Sequence, residues 1–210
     1  MTHAEDRASD LLFLIADGMG GHAAGEVASA CVAEALAADP RTFGSEEAVE
    51  RAIVAANLAL YDTMALVAGS AGMGATIAGL ALSGASTVTC FNVGDSKVYR
   101  ADRDVGVVQL TVDDVATQQA SHYQPSLITQ CLGGSNRPAE LSPHVRSLTM
   151  EPTDTFLICS DGLVNAVDLS SISEILAASN SPGQAVRDLL AEATPTASDD
   201  VTVLVVAAAD

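Results

Sequence analysis

The chain has no tryptophan, 3 tyrosines and 4 phenylalanines in 210 residues, so aromatic side chains cannot fill its core. Ala, Val, Leu and Ile must do so. Basic residues are equally scarce: 9 Lys+Arg stand against 27 Asp+Glu, a net charge of −18. Phosphate-backbone binding needs a basic face, so nucleic acid is excluded as a default partner. An anionic membrane surface is excluded on the same ground. Cys31, Cys90, Cys131 and Cys159 include no C-x-x-C pair and no zinc spacing with the four histidines. They read as small apolar residues of a reducing compartment. The opening Met-Thr-His-Ala-Glu-Asp-Arg carries no apolar segment, so no signal peptide and a cytoplasmic location are expected. Met64 to Gly94 holds no charged residue, but glycines recur in it and Ser-Gly-Ala-Ser interrupts it at 83–86. A spanning helix needs about 20 mostly apolar residues. This stretch reads instead as two strands buried on both faces, joined by a turn.

What is present is an apolar chain, 49% hydrophobic, long enough for one core. A single domain over 1–210 is expected, burying roughly 70% of its unfolded surface. Leu11 to Ala16 predicts a strand ending in an Asp-Gly turn. Glu26 to Ala38 has helical spacing and stops at Pro40. Ser45-Glu46-Glu47 reads as the capped, acidic start of a second helix with Val49, Ile53, Ala56, Leu60, Met64 and Val67 on its apolar face. Strands are predicted at Thr76–Leu82, Thr87–Val93, Lys97–Arg100, Val107–Leu110, Ser126–Leu132, Thr155–Cys159 and Val201–Val206. Helical spacing marks Leu169–Leu176 and Gln184–Ala193. This order predicts an α+β fold with helices packed on sheets.

One local pattern recurs. Apolar strands deliver Asp17-Gly18 and Asp161-Gly162 at their ends, and Asp199-Asp200 precedes the last strand. A lone Asp-Gly after a strand is an ordinary turn. Three acids packed beside apolar strands are costly to ionise unless paired or metal-bound, and basic residues are too few to pair with them all. Oxygen donors without His or Cys suit a hard divalent cation, Mg²⁺ or Mn²⁺.

Seven segments, in order, resemble the bacterial metal-dependent protein phosphatases of the protein phosphatase 2C family. The first is Ala16-Asp17-Gly18-Met19-Gly20-Gly21-His22 with Ala24-Gly25-Glu26. Next come Gly72-Met73-Gly74-Ala75-Thr76, Val93-Gly94-Asp95-Ser96-Lys97-Val98-Tyr99 and Leu110-Thr111-Val112-Asp113. Ile128-Thr129-Gln130-Cys131-Leu132-Gly133, Cys159-Ser160-Asp161-Gly162-Leu163 and Asp199-Asp200-Val201-Thr202-Val203 complete the set. The resemblance implies a four-layer α-β-β-α sandwich of two antiparallel sheets. It implies that Asp17 bridges two Mn²⁺ or Mg²⁺ ions, that the Gly18 carbonyl joins the second, and that Asp161 and Asp199 complete the first. It places Asp113 with Asp161 at a third, weaker ion, and Asp6 as a further carboxylate near the second. His22 either assists proton transfer or is a hydrogen-bonded loop histidine. The implied reaction is hydrolysis of phosphoserine and phosphothreonine in proteins by a hydroxide shared between the metals. The implied partners are a phosphorylated protein substrate and an opposing serine/threonine kinase, with the chain a monomer.

The match has gaps. Met1 stands where the family carries a phosphate-gripping arginine, and Ala4 where it carries an asparagine. The opening strand is missing or truncated, the flap between Asp113 and Thr129 is short, and Asp200 replaces an asparagine. Two alternatives follow: a catalytically weak or inactive pseudophosphatase that binds phosphoproteins, and a partner-switching phosphatase.

Overall fold

The computed structural model describes residues 11–19, 22–38, 43–84, 86–102, 106–116 and 127–208. Its first strand, β1 (Leu11–Met19), corrects the expected turn at Asp17-Gly18. The apolar run stops at Ala16, but the strand continues because its partner does. Asp17 pairs with Thr76, Gly18 with Ala75 and Met19 with Gly74 across an antiparallel ladder. Helix α1 (His22–Ala37) follows, then α2 (Glu46–Leu66). The Ser45 hydroxyl caps α2 by accepting from Ala48 N, and Glu46 and Glu47 occupy its first turn as expected.

Strands β2 (Gly74–Ser83), β3 (Thr87–Val93), β4 (Lys97–Asp102) and β5 (Gly106–Gln109) come next. After them lie β6 (Leu132–Gly133), β7 (His144–Thr149) and β8 (Thr155–Cys159). Helices α3 (Asp161–Ala166), α4 (Leu169–Ala178) and α5 (Pro182–Ala193) precede the closing strand β9 (Val203–Ala207). One sheet runs β1-β2-β3-β7, with β6 also paired to β2; the other runs β5-β4-β8-β9. All pairings are antiparallel.

The layers follow from side-chain alternation with period two. Along β2, Ala78 and Leu80 face the second sheet, where Val98, Phe156 and Ile158 meet them in one buried cluster. Ile77 and Ala81 face the other way, onto Val32, Leu36, Ile53 and Leu60 of α1 and α2. Leu157 and Cys159 of β8 likewise face away from the sheet interface, onto Leu163, Ile172 and Leu189 of α3, α4 and α5. The result is the expected α-β-β-α order. Burial of β2 and β3 on both faces explains the uncharged stretch that precedes Asp95.

Three elements differ from expectation. The strand predicted at Ser126–Leu132 reduces to β6 and an isolated bridge between Val115 and Ile128, with residue 126 outside the described residues. Strand β7 was hidden because Arg146, Ser147 and Thr149 are exposed and interrupt its apolar run. Helix α3 was hidden because it is short and starts on Asp161-Gly162, which reads as a turn. The expected loss of an opening strand and the shortened flap fall mainly on residues 1–10 and 117–126, outside the described residues.

Leu80 is fully buried between the sheets, whereas Leu66 at the end of α2 is 86% exposed. Leu80→Ala should lower unfolding free energy by about 2–5 kcal/mol, and Leu66→Ala by less than about 0.5 kcal/mol. Urea denaturation of both variants checks the layer assignment; similar small losses at the two positions would contradict it.

Candidate active site

At one end of the sandwich, Asp17, Asp161, Asp199 and Asp200 line an open cavity of about 770 Å³. They come from β1, the start of α3 and the loop before β9, which are far apart in sequence. Glycines let these segments meet. A Cβ on Gly18 would lie 2.0 Å from the Gly25 carbonyl oxygen, so β1 and the first turns of α1 touch backbone to backbone. A Cβ on Gly162 would lie 2.3 Å from the Asp200 carbonyl oxygen, so α3 and the Asp199-Asp200 loop touch in the same way. Each recurring Asp-Gly thus supplies a carboxylate and the bare backbone that lets a second segment close on it.

Buried hydroxyls fix the remaining geometry. Ser160 donates to the Asp200 carbonyl at 3.2 Å, and Thr202 N donates to the Ser160 hydroxyl at 3.0 Å. These bonds tie the loop before β9 to the residue before Asp161. Thr76 and Ser96 share a buried hydroxyl bond of 2.7 Å behind Asp17. Asn165 Nδ2 donates to Asp161 Oδ2 at 3.1 Å.

Two further acids line the cavity, Glu26 and Asp95, which were given no role from the sequence. Asp95, between β3 and β4, is only 8% exposed. Its place inside the Gly-Asp-Ser segment at the end of an uncharged run was the available signal. Burial first, and then the neighbouring Asp161, push its carboxyl above the ordinary range. Burial, followed by Asp161 and Asp199, raises Asp17 to about 6.

The other predicted residues stand as follows. Asp113 lies outside this cavity lining and is bonded to Lys97 and Gln109. Gly18 lines the cavity. Asp6 and the side chain of His22 lie outside the described residues. Cys90 and Cys159 are buried, and burial pushes both thiols up to about 12. Such thiols are poor nucleophiles at neutral pH.

The donor set fits a hard divalent cation. The acids lining the cavity offer oxygen alone, and no Lys, Arg or His is among the described residues that line it. Among the described residues, no group of three His, Cys, Asp or Glu side chains is already gathered for holding one ion. The fit is therefore one of donor chemistry around a shared cavity and not of a closed coordination shell.

An acid whose folded pKa exceeds its unfolded value binds more protons when folded, so stability falls as pH rises between the two values. For Asp17 that window runs from 3.8 to about 6. In chelator, the urea midpoint of the wild-type chain should fall with pH across this window relative to Asp17→Asn. A difference between the two proteins that is flat or rises with pH would contradict the raised pKa.

Comparison with known proteins agrees with this architecture. The family model described as Protein phosphatase 2C matches residues 1–196. The serine/threonine protein phosphatase PstP of Mycobacterium tuberculosis is 35% identical over 180 residues, covering 79% of this chain and 34% of that protein. The chain thus spans about a third of the length of that relative. The serine/threonine phosphatase stp of Listeria innocua is 28% identical over 222 residues, covering 96% of this chain and 86% of that one. The solved catalytic domain of PstP, in complex with two manganese ions, superposes with a TM-score of 0.77 at 30% identity, covering 93% of this chain and 89% of that chain. With the family model spanning nearly the whole length, and the same fold in a relative of 30% identity, this chain belongs to the protein phosphatase 2C family.

Proposed function

We propose that the chain is a monomeric, cytoplasmic protein phosphatase that hydrolyses phosphoserine and phosphothreonine with Mn²⁺ or Mg²⁺, residues 1–210 working as one catalytic domain. The observation that carries this reading is the convergence of Asp17, Asp161 and Asp199 on one open cavity, with no basic side chain among the described lining residues. The relatives named as serine/threonine phosphatases, and the two manganese ions of the PstP structure, support the reaction and the cofactor. Four cysteines without a disulfide partner are in keeping with a reducing compartment. None of the described helices is long and apolar enough to cross a membrane. An opposing serine/threonine kinase is part of the proposal.

The roles divide among the chain's own residues. Asp17, Asp161, Asp199 and the Gly18 carbonyl would hold the ions, with Asp6 as a further ligand. A phosphate group entering a cavity lined by carboxylates is repelled unless cations stand between them. Bound divalent ions supply that charge and lower the pKa of water toward neutrality. Asp95 lines the same cavity, and burial and then Asp161 raise its carboxyl. The Thr76–Ser96 and Ser160–Thr202 bonds keep the carboxylate-bearing segments in place, so little reorganisation is required when substrate arrives. The open mouth admits a phosphorylated side chain on an extended segment of protein. His22, four residues after Gly18 in the sequence, is the proposed group for protonating the leaving alkoxide. No cysteine is among the described residues that line the cavity, which leaves attack to water and not to a cysteine thiolate.

Met1 and Ala4, which prompted the pseudophosphatase alternative, lie outside the described residues, and no observation in the structure favours it. Asp17→Asn should lower kcat for Mn²⁺-dependent p-nitrophenyl phosphate hydrolysis by about 10²–10³-fold. Asp161→Asn and Asp199→Asn should behave alike, and chelation should silence the wild type until Mn²⁺ is returned. Wild-type rates in Asp17→Asn would sink the assignment.

A further inference from the structure

Asp113 was expected to share a third, weaker ion with Asp161, and the structure gives it a different partner. Lys97, the first residue of β4, is only 9% exposed. Its Nζ donates to Asp113 Oδ2 at 2.5 Å and to the Asp95 carbonyl oxygen at 3.1 Å. Gln109 Nε2 donates to the other Asp113 oxygen, Oδ1, at 2.7 Å. Both carboxylate oxygens of Asp113 are therefore already engaged by groups of the chain. Lys97 sits opposite Cys159 in the β4–β8 ladder, two residues before Asp161. Asp161 and Asp113 both push the Asp95 carboxyl up, and Lys97 opposes them.

A buried ammonium is costly unless paired and hydrogen-bonded, and this one is both. A flexible lysine that only balanced surface charge would not be held by two acceptors from two separate segments. We propose that Lys97 is a built-in cation at Asp113, so that the chain binds two divalent ions and a third reaches Asp113 only by displacing this ammonium. By the same two bonds Lys97 is a positioning residue. It fastens the Leu-Thr-Val-Asp segment to the loop that carries Asp95 into the cavity lining. The charge arithmetic is simple: one tethered positive charge replaces an ion at the edge of the carboxylate group. The tethered cation needs no free ion to fill the position, and a fall in metal concentration does not empty it.

This inference rests on the metal-dependent reading of the site, and calorimetric Mn²⁺ titration separates the two. The wild type should take up two ions, and Asp113→Asn should leave that number unchanged, because Asp113 is already occupied. Lys97→Met should gain a third ion, or bind its last ion about tenfold more tightly. Lys97→Arg should return to the wild-type isotherm, since the guanidinium keeps the charge. Adding Asp113→Asn to Lys97→Met should erase the gain. Loss of an ion in Asp113→Asn alone overturns the proposal, and so does a Lys97→Met isotherm identical to wild type in a variant with native circular dichroism. A wild type that takes up no Mn²⁺ overturns both this proposal and the reading of the cavity beneath it.

Discussion

Five aspartates, Asp17, Asp95, Asp161, Asp199 and Asp200, are drawn to one end of two packed sheets where their charges oppose one another, and the rest of the structure is arranged to hold them together. Their gathering is enforced from behind. The sheets bury Ala78, Leu80, Phe156 and Ile158 against each other, so β1, β2 and β8 cannot separate. Glycines 18, 25 and 162 bring the carboxylate-bearing segments into backbone contact, closer than any side chain would permit. Buried hydroxyls of Thr76, Ser96 and Ser160 then lock those segments with neutral hydrogen bonds, which add no further charge. The raised carboxyl at Asp17 reflects its burial first and then this repulsion. A divalent cation relieves that repulsion, which is why the same carboxylates that destabilise each other can select one.

Much of this arrangement was legible in the sequence. Acids at the ends of apolar strands singled out Asp17, Asp161 and Asp199 before any contact was known, because buried acids without basic partners are physically conspicuous. The uncharged stretch from Met64 to Gly94 marked the two strands buried on both faces. The less legible features depend on pairing and not on local composition. Asp17 lies inside a strand because Thr76 stands opposite it, and nothing near Asp17 in sequence says so. Strand β7 shows no apolar run because it lies at the sheet's edge beside β3 with half its residues exposed. Asp95 and Lys97 share one short segment, yet one faces the cavity and the other faces Asp113, a division that only the tertiary fold reveals.

The charge of −18 takes on two meanings in this light. Most of the acids among the described residues are exposed or half-buried, and their charge disfavours nucleic acid. A small subset at the cavity is structural and chemical. There the scarcity of basic residues matters most, since each Lys or Arg placed among those carboxylates would compete with a metal ion. Among the described residues Lys97 acts on this group, and it is paired with Asp113, outside the cavity lining.

The central claim is that Asp17, Asp161 and Asp199 together hold divalent cations. A crystal structure of the chain grown with Mn²⁺, with the anomalous signal of manganese recorded, tests it most directly. The account predicts manganese peaks inside the cavity, with a carboxylate oxygen of Asp17 within about 2.0–2.4 Å of them and Asp161 and Asp199 as further ligands. A cavity without manganese at saturating concentration, or ions held elsewhere while these three side chains point away, would contradict it.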